Sequence, residues 1–474
     1  MSSNAQANET RTLNRGCLVV FGLPFAGFGV FALIMAVREF LNGNWKEGLL
    51  AALFGVVFSG VGFGVIGLGV FGSRLQKAEQ QRRAAHPDAP WLWRDDWARG
   101  EIKSGAKAGA IVAWVFALFW NIISMLVFLA VLKDGRAGKA IAIAAVFPVI
   151  GIWLLVRAAT ASARRKRFGD SVFKMTSMPG VIGGPLAGVI HPGRPLHSAG
   201  ELRLRLVCLE RDTSGDSTSE NVEWEDEKIF GGEVARIGDG IPVVFNIPFE
   251  CAPTATHSGS RSTVWRLHAR ATVPGNDYIA EFEVPVFKTA QSRVDAAPVS
   301  DPAAAYEKPI DAESSRGVRI RPAATGGTEF HFAAARNKRM AFGLTMFTAF
   351  WVGGVVLMIR FHAPILFPII FGLIAVLLVL GIIGMWTGAS HVVAGREGLA
   401  VTHWYCFWSW KRMLPAADVE RVELKIGMSA GAAAYYDLMA TTTAGKKEKL
   451  ASSIEGKRQA EWLAQEIRNA LARR

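Results

Sequence analysis

The sequence predicts a polytopic α-helical membrane protein of about six spans, with a cytosolic all-β sandwich and a small α+β C-terminal domain. Three observations predict it. Apolar residues make up 51% of the 474-residue chain, but they are bunched into long runs and not spread at the spacing of a soluble core. Two polar stretches alternate apolar and polar residues with period two, as half-buried strands do. The chain ends in a segment with one helical apolar stripe.

A span needs about 20 apolar residues to cross roughly 30 Å of hydrocarbon at 1.5 Å per residue. Segments 16–37, 48–73, 108–132, 140–156, 340–359 and 363–386 meet or approach this, and none contains Asp, Glu, Lys or Arg. The first run exceeds a signal peptide's apolar region and no small-residue cleavage pattern follows, so it reads as a retained span. Residues 1–167 are expected to form a four-span bundle with an interfacial, Trp-rich loop at 74–107. In "GVGFGVIGLGVFG" (60–72), Gly60 and Gly64 have the GxxxG spacing that lets helix backbones approach in lipid. Packing within the bundle is the first expectation and homo-oligomer formation the second. Asn121, with Ser124 one turn on, is expected to make an interhelical hydrogen bond.

Lys and Arg number 53 against 40 Asp and Glu, a net charge of +13. Arg11, Arg15, Arg74, Lys77, Arg82 and Arg83 flank spans on one side, as do Arg164, Arg165, Lys166, Arg167, Arg336 and Lys338. The opposite flanks are sparse in basic residues. This asymmetry places both termini and both large polar regions in the cytoplasm. The excess charge beside the spans suits topology and anionic headgroups, at about 1 kcal/mol per residue near the surface, so nucleic acid is not the expected partner. Cys17, Cys208, Cys251 and Cys406 have no metal-ligand spacing. A reducing compartment implies thiols and no disulfide framework.

Residues 168–290 read as the β-sandwich. "ELRLRLVCLE" (201–210), "IPVVFNIPF" (241–249), "VWRLHARATV" (264–273) and "YIAEFEVPVF" (278–287) are its strands, the last two a hairpin. Arg266 and Arg270 are expected on the face of Glu281 and Glu283. The acidic run "EWEDEK" (223–228) lacks the ligand spacing of a calcium loop and is expected to be a solvated edge or loop. "VIGGPLAG" (181–188) reads as a loop or the start of a strand, since it lacks the lysine and hydroxyl of a phosphate loop. Residues 291–316, rich in Ala, Pro, Ser and Asp, are expected to be a flexible linker. A β-hairpin at 317–339 precedes a two-span hairpin at 340–386. Residues 387–474 form the α+β domain, with strands at 391–415, 418–427, 435–442 and 449–454. Its closing helix carries an apolar stripe of Ala460, Leu463, Ile467 and Leu471. The hairpin is expected to pair with this domain's sheet, so that the last two spans are an insertion.

The strands at 201–210 and 241–287, with Trp265 and the ending "FEVPVF" (282–287), resemble arrestin-type β-sandwiches, which implies an adaptor without catalytic residues. Residues 391–474 are similar to small bacterial pleckstrin-homology-like domains, which implies a recognition module. The whole arrangement, with "PWLWRDDWARGEI" (90–102), resembles a group of bacterial multi-spanning membrane proteins to which no function is assigned. That resemblance implies the bacterial inner membrane.

No catalytic residue, metal ligand or cofactor site emerges. The nine histidines have no i, i+4 pair, and neither a GxSxG elbow nor a GxxxxGK[ST] loop occurs. Asp95 and Asp96 are consecutive, so they point about 100° apart on a helix and cannot face each other as an acid–base pair. Trp91, Trp93 and Trp97 are the candidate site residues of the motif. One reading is an interfacial helix running toward the third span, with Trp93 and Trp97 on one face at the headgroup level. The other is docking of the motif onto the chain's own sandwich. The expected function is a non-enzymatic adaptor or assembly scaffold that meets the lipid bilayer and a cytosolic or membrane protein partner. The alternative is a transporter or channel component, with Asn121 as its polar group.

Overall fold

A computed structural model describes residues 2–133, 138–196, 200–213, 219–236, 240–256, 260–309, 317–323, 326–360, 364–430 and 433–472. His197, His257 and His362 lie outside the described residues, as do 310–316 of the expected linker and 324–325 of the expected hairpin. The chain is a mixed helix and sheet protein, and among the described residues six helices are long and apolar enough to cross a membrane. It divides into two compact units, one of 1–219 and 228–307, the other of 220–227 and 308–474.

The first unit begins with α1 (Ser2–Leu41) and α2 (Trp45–Ala85). α2 is 41 residues long, roughly 60 Å, so residues 74–85 of the expected loop continue the helix. After the one-turn α3 (Asp95–Ala98) and the strand β1 (Glu101–Lys103) come α4 (Ala106–Lys133) and α5 (Gly138–Phe168). The helices form two hairpins, which touch where Phe58 meets Phe119 at 5.4 Å. The α1–α2 seam lies on Gly55, Ser59 and Gly62, spaced i, i+4, i+7. A Cβ at Gly62 would fall 2.8 Å from that of Ala26 and closer still to its backbone. Gly60 and Gly64 lie off this seam in open space. The reason is angular: one residue of offset turns a side chain about 100° around the helix. The bundle-packing role expected of the GxxxG pair therefore falls to Gly55, Ser59 and Gly62.

The strands of the first unit are β2 (Val172–Met175), β3 (Gly180–Val181), β4 (Gly184–His191) and β5 (Leu202–Asp212). They continue as β6 (Ser219–Phe230), β7 (Ile241–Ile247), β8 (Ala255–Thr256), β9 (Arg261–Ala271), β10 (Tyr278–Val284) and β11 (Val286–Phe287). One sheet runs β1-β2-β4-β7, all antiparallel. A second includes β10-β9-β5, with β8 also on β9, and β11 pairs β3 in parallel. The alternation seen in the sequence points inward as expected: Leu204, Leu206, Trp265, Leu267, Phe282 and Val284 are all buried. Phe173 of one sheet meets Phe282 of the other at 5.9 Å, and each ring removed from water contributes about 1.5–3 kcal/mol. Arg266 and Arg270 share the face of Glu281 and Glu283 as expected, with Glu283 opposite Arg266 in the register. Arg266 pairs with Glu281 at 3.3 Å, but Arg270 turns to Asp277 at 2.7 Å and Glu283 is left for Arg94.

The expected linker is bonded along the sheets of the first unit for much of its length. Arg293 donates its amide to the Gly183 carbonyl, Val299 donates to Asn246 Oδ1, and Lys228 pairs with Asp301 at 2.6 Å. Low apolar content leaves 291–307 largely outside the core, apart from the buried Ala303, but polar partners still hold it in place.

The second unit contains β12 (Val318–Pro322), β13 (Thr328–Phe332), α6 (Lys338–Arg360), α7 (Leu366–Thr387), β14 (Ala389–Gly395), β15 (Gly398–Tyr405) and β16 (Trp408–Pro415). It ends with β17 (Val419–Ala430), β18 (Ala433–Thr442), β19 (Lys447–Glu455) and α8 (Lys457–Ala472). The sheet order is β12-β13-β14-β15-β16, with β17-β18-β19 as a separate sheet. β13 pairs β14 from Thr328 opposite Ala394 to Phe332 opposite Ser390. The α6–α7 hairpin is thus an insertion in an antiparallel ladder. α8 buries Ala460, Leu463, Ala464, Ile467 and Ala470; Ala470 holds the place expected of Leu471. The acidic run lies on a sheet edge, one of the two placements expected for it, but it is not solvated throughout. It is part of β6, whose 220–227 stretch belongs to this unit. Glu225, 1% exposed, accepts the first amide of α8 from Lys457 at 3.1 Å, which suits a carboxylate at a helix N-terminus.

Gly62→Leu should cost about 1–3 kcal/mol of stability by overpacking the α1–α2 seam, whereas Gly60→Leu should leave the hairpin unchanged. Thermal melts of the detergent-solubilised protein distinguish the two; equal losses would mean that the seam lies elsewhere.

Candidate functional site

The tryptophan motif folds as a chain of short elements and not as one helix. Pro90–Leu92 is a 3-10 turn, Asp95–Ala98 a single α turn, and Glu101–Lys103 the strand β1. The motif is therefore not the single helix expected to run into the third long apolar helix. Pro90 starts the first turn with its fixed φ, but Gly100, at φ +66°, ends α3 in the left-handed region that glycine reaches at no steric cost. The chain then enters β1, where Ile102 lies opposite Phe173 of β2 and both are fully buried.

Each tryptophan has a partner within the protein. Trp97 is 7% exposed, donates its indole N–H to the Glu283 carbonyl at 3.0 Å, and meets Phe287 edge-on at 6.3 Å. Trp91 packs on the same Phe287 at 5.6 Å. Trp93 donates to the His86 carbonyl at 2.8 Å, with the Arg83 guanidinium 4.7 Å above its ring. Arg94 covers Trp97 at 4.2 Å, grips Asp96 at 2.8 Å and pairs with Glu283. Burial works against the Arg94 charge, yet Asp96 and Glu283 hold its pKa above the ordinary arginine value. Asp95 turns away from Asp96 to Arg82 at 2.7 Å and also pairs with Arg99. The two aspartates thus serve different arginines.

Sequence reasoning singled out the tryptophans and missed Arg94, Glu283 and Phe287, which hold them. The signal available was Arg94 between Trp93 and Asp95, but its acceptor lies 189 residues away. Gly60 and Gly64 stand apart from this site. Asn121 does too: its amide donates to the carbonyls of Ala117 at 2.7 Å and Gly151 at 2.9 Å, joining α4 to α5.

Beneath the motif is a cavity of about 580 Å³, whose wall includes Arg94, Lys103, Arg164, Arg165, Tyr278 and Glu281. Tyr278 donates its hydroxyl to Ser171 at 2.9 Å, and burial pushes its phenol up to about 12. Among the described residues no group of three or more His, Cys, Asp or Glu side chains converges as metal ligands would. The cysteines Cys208, Cys251 and Cys406 are thiols.

The sequence matches no family model and no curated protein. A crystal structure of Spo0M, a sporulation control protein from Bacillus subtilis, aligns over 52% of this chain and 89% of its own, at 9% identity and a TM-score of 0.18. That likeness is too slight to bear on fold or function.

Trp97→Ala should destabilise the first unit by about 3–5 kcal/mol, the cost of removing a packed indole. With 5-fluorotryptophan, the Trp97 resonance should stay sharp when paramagnetic lipid is added. Broadening of that resonance would show the ring facing lipid.

Proposed function

We propose that this chain is a non-enzymatic integral protein of the bacterial inner membrane, with both termini cytoplasmic. It presents a β-sandwich and a pleckstrin-homology-like domain to a cytosolic or membrane protein partner, as an adaptor or assembly scaffold. One observation carries this reading: each of two apolar helix pairs is inserted between adjacent antiparallel strands. β1 precedes α4 and pairs with β2 after α5; β13 precedes α6 and pairs with β14 after α7. Domains joined to helices in this way are held at the helix ends as fixed platforms. The clustering of Lys and Arg on the side of those platforms supports the orientation. β16 is exposed along most of its length, and an edge strand of that kind can accept a partner's strand. The arrestin-like reading of the sandwich rests on its two antiparallel sheets and buried Trp265. Asn121 is occupied by backbone carbonyls, so no observation favours a transporter.

Photocrosslinkers placed in cells at Ile279 of the sandwich and Lys411 of β16 should each trap a discrete protein adduct. Absence of adducts from both sites would remove the scaffold reading. Alkaline phosphatase fused near residue 230 should be inactive, because it would remain in the cytoplasm. An active fusion would reverse the orientation.

A further inference from the structure

The second unit holds a cavity of about 450 Å³ where α6 and α7 join the β12–β16 sheet. Two groups on its wall are buried and lack hydrogen-bond partners: Nη1 of Arg336 and the hydroxyl of Ser390. Ser390 is only 3% exposed. Leaving a buried polar group unpaired costs about 1–3 kcal/mol, and more for a charged one. Two such groups on one cavity point to an acceptor that comes from outside the chain.

The neighbouring charges select what that acceptor is. Glu448 on the wall is held by Arg412 at 2.5 Å and Lys446 at 3.3 Å. Asp437 is held by Lys449 at 2.5 Å. The local carboxylates are thus matched by other cations, and among the described residues Arg336 has the Phe332 ring, 5.5 Å away, and the more distant field of Asp437. Burial pulls its pKa down to about 10, so an incoming anion would restore what desolvation removes. The hydroxyls of Ser390, Ser452 and Ser453 on the same wall suit tetrahedral oxygens, and a guanidinium matches phosphate with two parallel donors.

The placement names the source. The Tyr405 hydroxyl donates to the Leu380 carbonyl at 2.6 Å, seven residues before α7 ends at Thr387, or roughly 10 Å along the axis. The Tyr405 ring occupies space that a Cβ on Gly384 would fill, with Cε2 only 2.8 Å from that position. Cys406 donates its amide to Thr387 Oγ1 at 2.9 Å. The β15–β16 turn therefore lies along the apolar helix, and the side chains at its tip are bare: Phe407 is 97% exposed and Trp408 78%. Rings of this kind belong at the headgroup level of a bilayer, with the cavity beside them.

We propose that this cavity binds the phosphate of a membrane phospholipid headgroup, with Arg336 and Ser390 as donors and the Tyr405–Trp410 turn seated in the same leaflet. This rests on the membrane-spanning part of the reading above and is independent of the scaffold role. The test uses the full-length protein, delipidated in detergent and melted with added phosphatidylglycerol or with inorganic phosphate at equal phosphate concentration. Phosphatidylglycerol should raise the melting temperature and inorganic phosphate should not. Arg336→Met should lower lipid affinity by on the order of tenfold or more. Without lipid this variant should be as stable as the parent or more so, because it removes an unpaired buried charge. Ser390→Ala should lose less. An equal lipid shift in the parent and Arg336→Met overturns the site, and a phosphate shift as large as the lipid shift overturns the lipid source. Extraction of the protein by alkaline carbonate would instead refute the membrane reading, so the two failures are distinguishable.

Discussion

The rest of the architecture depends on hydrogen bonding between pairs of short strands that flank a helical hairpin. In the first unit, β1 and β2 close a ladder at the feet of α4 and α5, and the Ser104 amide extends it by donating to the Ser171 carbonyl at 2.9 Å. In the second, β13 and β14 do the same at the feet of α6 and α7. A three-residue strand gains little from its own hydrogen bonds, since each is worth about 1 kcal/mol net. Stability at β1 comes from what flanks it, namely Ile102 under Phe173 and Trp97 against Phe287. The motif thus tightens a junction that the ladder alone would leave weak. Arg94 adds direction by joining the Trp97 face to Glu283 on β10.

Much of this was legible in the sequence wherever the signal was local. The six long apolar helices were visible because hydrocarbon demands about 20 apolar residues in a row, and the strands of the first unit were visible because one buried face imposes period two. The insertion of α6–α7 was readable because the hairpin at 317–332 ended directly before a span and a strand began directly after the next. β1 was not readable. Three residues between two helices carry no periodicity, and its partner lies beyond both helices of the hairpin. The seam of α1 on α2 was also hidden. Glycines recur so often in 55–67 that the GxxxG spacing fits several faces, and only the position of Ala26 selects Gly62.

The acidic run shows a different limit. Glu223, Glu225, Asp226 and Glu227 look solvated by composition, yet Glu225 is buried because the first turn of α8 offers it a backbone donor. A carboxylate leaves water where donors replace those it gives up, and nothing within a linear window identifies a donor 232 residues away. The aromatic turn at 404–410 was overlooked for a related reason. "WYCFWSW" reads as strand by propensity, and only its lie along α7 separates rings that pack in protein from rings left bare.

Both ladders raise the same geometric problem. Neighbouring strands stand about 4.8 Å apart, whereas packed helices stand about 8–10 Å apart. A hairpin that rises from two adjacent strands must splay where it leaves them, and the splay opens a wedge at the junction. Glycines lie on both wedges: Gly105, Gly109 and Gly169 in the first unit, Gly381, Gly384 and Gly388 in the second. Basic residues that flank the apolar helices fall at the same level, so each wedge is lined by arginine. In the first unit Glu281, Glu283 and Asp96 supply carboxylates against Arg94, Lys103, Arg164, Arg165 and Arg266. In the second, Glu448 stands alone among the acids on the wall, and other cations hold it. Both walls hold a guanidinium nitrogen buried without a hydrogen-bond partner, Arg164 Nε in the first and Arg336 Nη1 in the second, so the two cavities of one geometric origin differ in their carboxylates, three on the first wall against one on the second.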